Sequence, residues 1–182
     1  SLPFSDRHCP DARHDVIPWG KRGVTPVARK SCHSSAETTP PGLFVPRPGG
    51  PSMLVQWCHG APGIVTALAE FPPQRSPAMD TMLIGAGHAI WNAGPLCKGY
   101  GLCHGTAGNG YAFLKLYRRT GDPMWLERAR CFAMHAIAQK DRMRQRFGQG
   151  RYTLWNGDPG LAVYVWHCLH GRAELPALDI VQ

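Results

Sequence analysis

No stretch of this chain is apolar for the roughly 18 residues that a membrane-spanning helix requires, and no series of short alternating segments reads as strands. Its seven cysteines contain no close Cys-x-x-Cys pair, so pair spacing alone does not point to a metal site. Their spacing is not that of a small secreted disulfide scaffold either. Acidic residues are few: 12 Asp and Glu stand against 20 Lys and Arg, for a formal charge of +8. The basic residues fall mainly in two stretches. One holds Arg142, Arg144, Arg146 and Arg151; the other, residues 1–50, holds Arg7, Arg13, Lys21, Arg22, Arg29, Lys30 and Arg47. No interleaving of aromatic with basic residues accompanies them, so base stacking is not indicated. We read a solvated basic loop and a basic tail, and expect no nucleic-acid partner. The opening residues lack the uninterrupted apolar stretch of a secretory signal. The expectation is a reducing, cytoplasmic setting, where Cys and His pairs are more often metal or catalytic groups than disulfides. Nothing in the sequence indicates a membrane surface.

What the chain does have is a phrase that it repeats. Trp57-Cys58-His59-Gly60-Ala61-Pro62-Gly63 is echoed by Leu102-Cys103-His104-Gly105-Thr106-Ala107-Gly108, and a shortened copy follows at Trp155-Asn156-Gly157-Asp158-Pro159-Gly160. The first glycines stand at 60, 105 and 157, so the intervals are 45 and 52 residues. Each copy ends in Gly-x-x-Gly and opens an apolar run. Repeats of this period signal stacked helical hairpins that share one core. Two copies carry a thiol beside an imidazole, and the third carries neither.

Residues 1–52 read differently from the rest. Thr38-Thr39-Pro40-Pro41-Gly42 and Pro46-Arg47-Pro48-Gly49-Gly50-Pro51 block helices and central strands. This segment is expected to be extended or disordered, and Cys9 and Cys32 within it are not expected to be ligands. From residue 53 to 182 the pattern is helical. Ile64, Val65, Leu68 and Ala69 form a stripe ended by Phe71-Pro72-Pro73. Residues 79–91 suit a return helix, although Gly85 and Gly87 weaken it. Tyr111, Phe113, Leu114, Leu116 and Tyr117 predict a helix buried on most sides. Asp122 then caps a helix over about residues 123–139 with Pro123 at its first position. That helix carries Trp125, Leu126, Ala129, Phe132, Ala133 and Ala136 on one side. A further apolar helix runs over 161–169. The fold class is therefore all-α: inner apolar helices headed by Gly-x-x-Gly alternate with amphipathic outer ones. The geometry expected is an (α/α) toroid, here an incomplete ring of about three repeats, with its inner helix N-termini gathered at one end. Those ends present free N–H groups and favour anions and thiolates.

Equivalent positions in neighbouring repeats are neighbours in space, which brings Cys58 toward Cys103. His104 adds a third donor. Two thiolates and an imidazole suit zinc, and three protein ligands leave one tetrahedral position open, as in catalytic rather than structural sites. His59 is the competing fourth donor; if it also ligated, the site would be a closed Cys₂His₂. Adjacent side chains rarely point the same way, so full use of both Cys-His pairs is disfavoured. Cys97, Cys131 and Cys168, and His88, His135, His167 and His170, read as ordinary loop and helix residues.

These phrases resemble those of the LanC-like proteins, relatives of bacterial lanthionine synthetase C. The resemblance rests on Trp57 to Gly63, on the long phrase Lys98-Gly99-Tyr100-Gly101-Leu102-Cys103-His104-Gly105-Thr106-Ala107-Gly108-Asn109-Gly110-Tyr111, and on Tyr152-Thr153-Leu154-Trp155-Asn156-Gly157-Asp158. It covers about residues 53–180. It implies a closed (α/α) toroid and one zinc ion on Cys58, Cys103 and His104, with His59 left out. It also implies activation of a thiol, a peptide cysteine or glutathione, for addition to a dehydroamino acid in a peptide or protein. Lys98 matches a family lysine that binds glutathione, and Arg151 is the nearest match to a family arginine that assists it. Both would pair with carboxylates of the tripeptide.

The family's first hairpins have no counterpart in residues 1–52, and neither do its acid and base residues, an Asp and a His. That leaves a second reading, a non-catalytic zinc- and glutathione-binding scaffold. A carbohydrate-active toroid would need paired carboxylates at the open end, where Asp158 is the only obvious acid.

Overall fold

In the computed structural model, which describes residues 55–72, 76–176 and 179, each glycine phrase heads a helix. The described residues form five helices in the order α1 (Ala61–Leu68), α2 (Pro77–Ala93), α3 (Thr106–Thr120), α4 (Pro123–Phe147) and α5 (Asp158–His170). No sheet is present among them; one isolated antiparallel bridge joins Gln56 to His59. The expectations for residues 1–52, including Cys9 and Cys32, lie outside the described residues.

The second glycine of each phrase has a steric reason. A Cβ on Gly63, Gly108 or Gly160 would overlap the carbonyl oxygen of Trp57, Leu102 or Leu154, the residue six positions back in each case. The same overlap at the same offset shows that the three turns share one shape. That shape swings the chain back across the helix it has just opened, which leaves no room for a side chain.

The three helices headed by these turns are α1, α3 and α5, and α2 and α4 return the chain between them. α3 is central and touches all four others. It is buried continuously from Thr106 to Leu116, as its all-round apolar pattern predicts. Phe113 of α3 meets Phe132 of α4 edge to face at 4.9 Å and stacks on Trp125 at 6.1 Å. Gly87, expected to weaken α2, instead permits its packing: a Cβ there would lie 2.7 Å from the Trp125 ring and would overlap Leu116. Lys115 of α3, only 1% exposed, is held by Glu70 and Asp179 at 2.6 Å each.

Asp122 caps α4 by accepting from the Met124 N–H at 2.9 Å, with Pro123 in the first turn. The helix then runs beyond the expected end near 139 to Phe147, where Gly148 (φ 72°) closes it in the left-handed conformation. Arg142, Arg144 and Arg146 therefore lie on the last turns of a helix and not in a loop. Lys, Arg, Gln and Met are all good helix formers, and cations near a helix C-terminus complement its dipole.

Candidate metal centre

The heads of α1, α3 and α5 are laid edge to edge by backbone hydrogen bonds. The Cys58 N–H donates to the Cys103 carbonyl (3.2 Å), and the Cys103 N–H donates to the Trp155 carbonyl (2.9 Å). Cys58, Cys103 and Trp155 hold the same place in the three phrases, so neighbouring heads meet in register. This register places the two cysteines side by side. Trp57 also stacks on Trp155 at 5.4 Å, which joins the first head to the third.

The sulfurs of Cys58 and Cys103 and a ring nitrogen of His104 lie within 4.8 Å of one another, and among the described residues they form a group able to hold a metal ion. Cys58 Sγ is 3.9 Å from His104 Nδ1. Both cysteines are half-buried and His104 is exposed, so the group opens to solvent on one side. His59 Nδ1 sits 3.2 Å from Cys58 Sγ, yet His59 is not part of the three-donor group. Burial pushes the Cys103 thiol above its ordinary pKa, and the facing Cys58 sulfur adds to the effect. Two facing thiols resist a second negative charge; a divalent cation between them reverses that preference. Two sulfurs and one imidazole nitrogen are a donor set that suits zinc.

Around this group stand residues that the sequence pattern did not single out. Gln56, 6% exposed, directs its Nε2 at Cys58 Sγ (3.3 Å), while its Oε1 accepts from Lys98 Nζ (3.0 Å). Lys98 thus reaches the cluster through Gln56. The loop that carries it is anchored below by Thr106 Oγ1, which donates to Gln139 Oε1 at 2.7 Å, and by Gln139 Nε2, which donates to the Leu96 carbonyl. At the third head, Tyr100 donates to Asp158 Oδ1 at 2.7 Å. Burial and this bond push the tyrosine up to about 12, while the Arg151 charge acts against the rise. The Arg151 side chain is exposed beside that head, and its backbone carbonyl accepts from the Asp158 N–H at 2.7 Å. Gln56 lies just outside the repeated phrase, so bonding rather than sequence pattern reveals it; Asp158, the only obvious acid of the third phrase, is held by Tyr100.

A family model described as lanthionine synthetase C-like protein matches residues 36–171. A Danio rerio protein named glutathione S-transferase LANCL1 is 36% identical over 144 residues, covering 78% of this chain and 35% of that protein. The Arabidopsis thaliana LanC-like protein GCL1 is 48% identical over 120 residues, covering 62% of this chain and 27% of its own. The chain spans about a third of the length of these curated relatives.

Proposed function

The chain belongs to the lanthionine synthetase C-like family, and on that footing we propose that it binds zinc and activates a thiol for addition to dehydroamino acids. The observation that carries this reading is the convergence of Cys58, Cys103 and His104 within 4.8 Å at the meeting of two helix heads. Bound there, zinc supplies a Lewis acid that lowers the pKa of a thiol toward neutrality.

The chain's own residues supply recognition. Lys98, fixed by Gln56, presents an ammonium near the cluster to a carboxylate of the incoming thiol. Arg151 offers an exposed guanidinium fork to a second carboxylate. Glutathione carries both carboxylates and the thiol, and the name of the Danio rerio relative, glutathione S-transferase LANCL1, supports it as the thiol. The acceptor is a dehydroamino-acid-containing peptide or protein: the sulfur bonds to its β-carbon and a proton goes to its α-carbon. We also propose that the five helices are consecutive hairpins of an (α/α) toroid. The in-register heads support this, as do the apolar side chains left exposed on its two outermost inner helices, Ile64 of α1 and Trp166 and Leu169 of α5.

The second reading is a scaffold that binds zinc and glutathione without catalysis. A single assay separates the two. The zinc-loaded chain is incubated with glutathione and a dehydrobutyrine-containing peptide, and the product is weighed by mass spectrometry. An enzyme yields the glutathione adduct, and Cys103→Ala abolishes it. A scaffold binds zinc and glutathione and leaves the peptide unchanged.

A further inference from the structure

Gln56 is buried, yet every polar group of its side chain is committed to the metal cluster or to Lys98. Its Oε1 accepts from Lys98 Nζ at 3.0 Å. Its Nε2 lies 3.3 Å from Cys58 Sγ and 3.5 Å from His59 Nδ1. The backbone beneath is fixed as well: Gln56 and His59 exchange both main-chain bonds, at 3.2 and 3.0 Å. An amide can be turned either way about its last bond, but Lys98 decides the matter here. An ammonium has only donors to offer, so the oxygen must face Lys98 and the NH₂ must face the sulfur. A carboxylate in this place would present oxygen to the sulfur, and an apolar side chain would make neither the bond to Lys98 nor the bond to the sulfur. A side chain with one acceptor end and one donor end is what the arrangement requires.

We propose that Gln56 is a positioning residue that couples Lys98 to the Cys58 sulfur, fixing the ammonium beside the metal position and donating an N–H to the ligand thiolate. Hydrogen bonds in such a chain polarise one another, so the lysine charge strengthens the bond to sulfur. Partners of this kind orient ligands and tune the metal. The inference rests on the reading of Cys58 as a ligand, and its test keeps the two apart.

The 182-residue chain is titrated with Co²⁺ in place of zinc, and the sulfur-to-cobalt charge-transfer absorption is followed for wild type, Gln56→Met and Lys98→Met. Methionine keeps the length of glutamine and removes both polar ends. Loss of an N–H bond leaves the thiolate a stronger electron donor, so the Gln56→Met band moves to longer wavelength and cobalt affinity falls about tenfold. Lys98→Met, at an exposed side chain, moves the band the same way by less, and the double variant shifts no further than Gln56→Met alone. A purely structural glutamine would alter helical circular dichroism and leave the band in place. An unmoved band in Lys98→Met, or in a helical Gln56→Met, overturns the coupling while the metal site stands. Failure of the wild type to bind cobalt overturns the metal site itself, and the inference with it.

Discussion

Among single residues, two glycines differ in what each makes room for. Gly108 has its missing Cβ aimed at the Leu102 carbonyl, whereas nothing lies within 4 Å of a Cβ on Gly85 in α2. Gly108→Ala is expected to cost about 3 kcal/mol or more, because backbone must move to relieve the overlap. Gly85→Ala is expected to stabilise by about 0.5–1 kcal/mol through reduced chain entropy and better helix propensity. Urea denaturation of both variants measures the contrast, and equal effects would contradict the turn geometry. Glycines were legible as turn formers but not in their individual reasons. The adjacency of Cys58, Cys103 and His104 was legible because their chemistry is repeated at a period that a hairpin array turns into adjacency. Gln56 was not, since a glutamine beside a motif carries no signal until its partners are known.

At the scale of elements, the helices were legible from periodicity and caps, and the ends less so. Residues 140–147 read as a basic loop by charge, but their helix propensity and the Gly148 cap carry α4 through them. The join between α1 and α2 was not legible, because it depends on a side chain from a third helix. Arg119, near the end of α3, is 5% exposed and pairs through Nε with Asp80 in the first turn of α2. Its Nη1 donates to the carbonyls of Ala69 and Phe71, just past α1. One guanidinium therefore closes the end of one helix onto the start of the next. Arg119→Lys keeps the charge and loses the planar fork. It should cost about 2 kcal/mol, since one ammonium nitrogen cannot stand at both the Nε and the Nη1 positions from which these bonds are made. A urea midpoint equal to wild type would show that the clamp is idle.

At the scale of the molecule, the all-α class follows from the repeat, and the five helices of the described residues bear it out. Which side chains carry the fold's response to acid does not follow from the repeat, because it depends on burial. Burial lowers His135 to about 4, with the Arg142 charge adding to it, and burial also lowers His88 and His167. A histidine held neutral in the folded state takes up its proton first when unfolded. Its stabilisation is complete above the ordinary value of 6.5 and is lost as pH falls toward 4. Stability should therefore decline between pH 6.5 and 4 through this group, and His135→Gln should flatten part of the decline. A variant with the wild-type slope would assign the acid response elsewhere.

Two repeats of one turn, set in register, bring Cys58, Cys103 and His104 together, and we propose that they hold zinc. Zinc per chain by elemental analysis tests this most directly, for wild type and for Cys103→Ala purified alike. About one zinc per wild-type chain is expected, as a single tetrahedral site requires, and none in the variant. A folded wild-type chain without zinc, or a Cys103→Ala chain that keeps it, would refute the site.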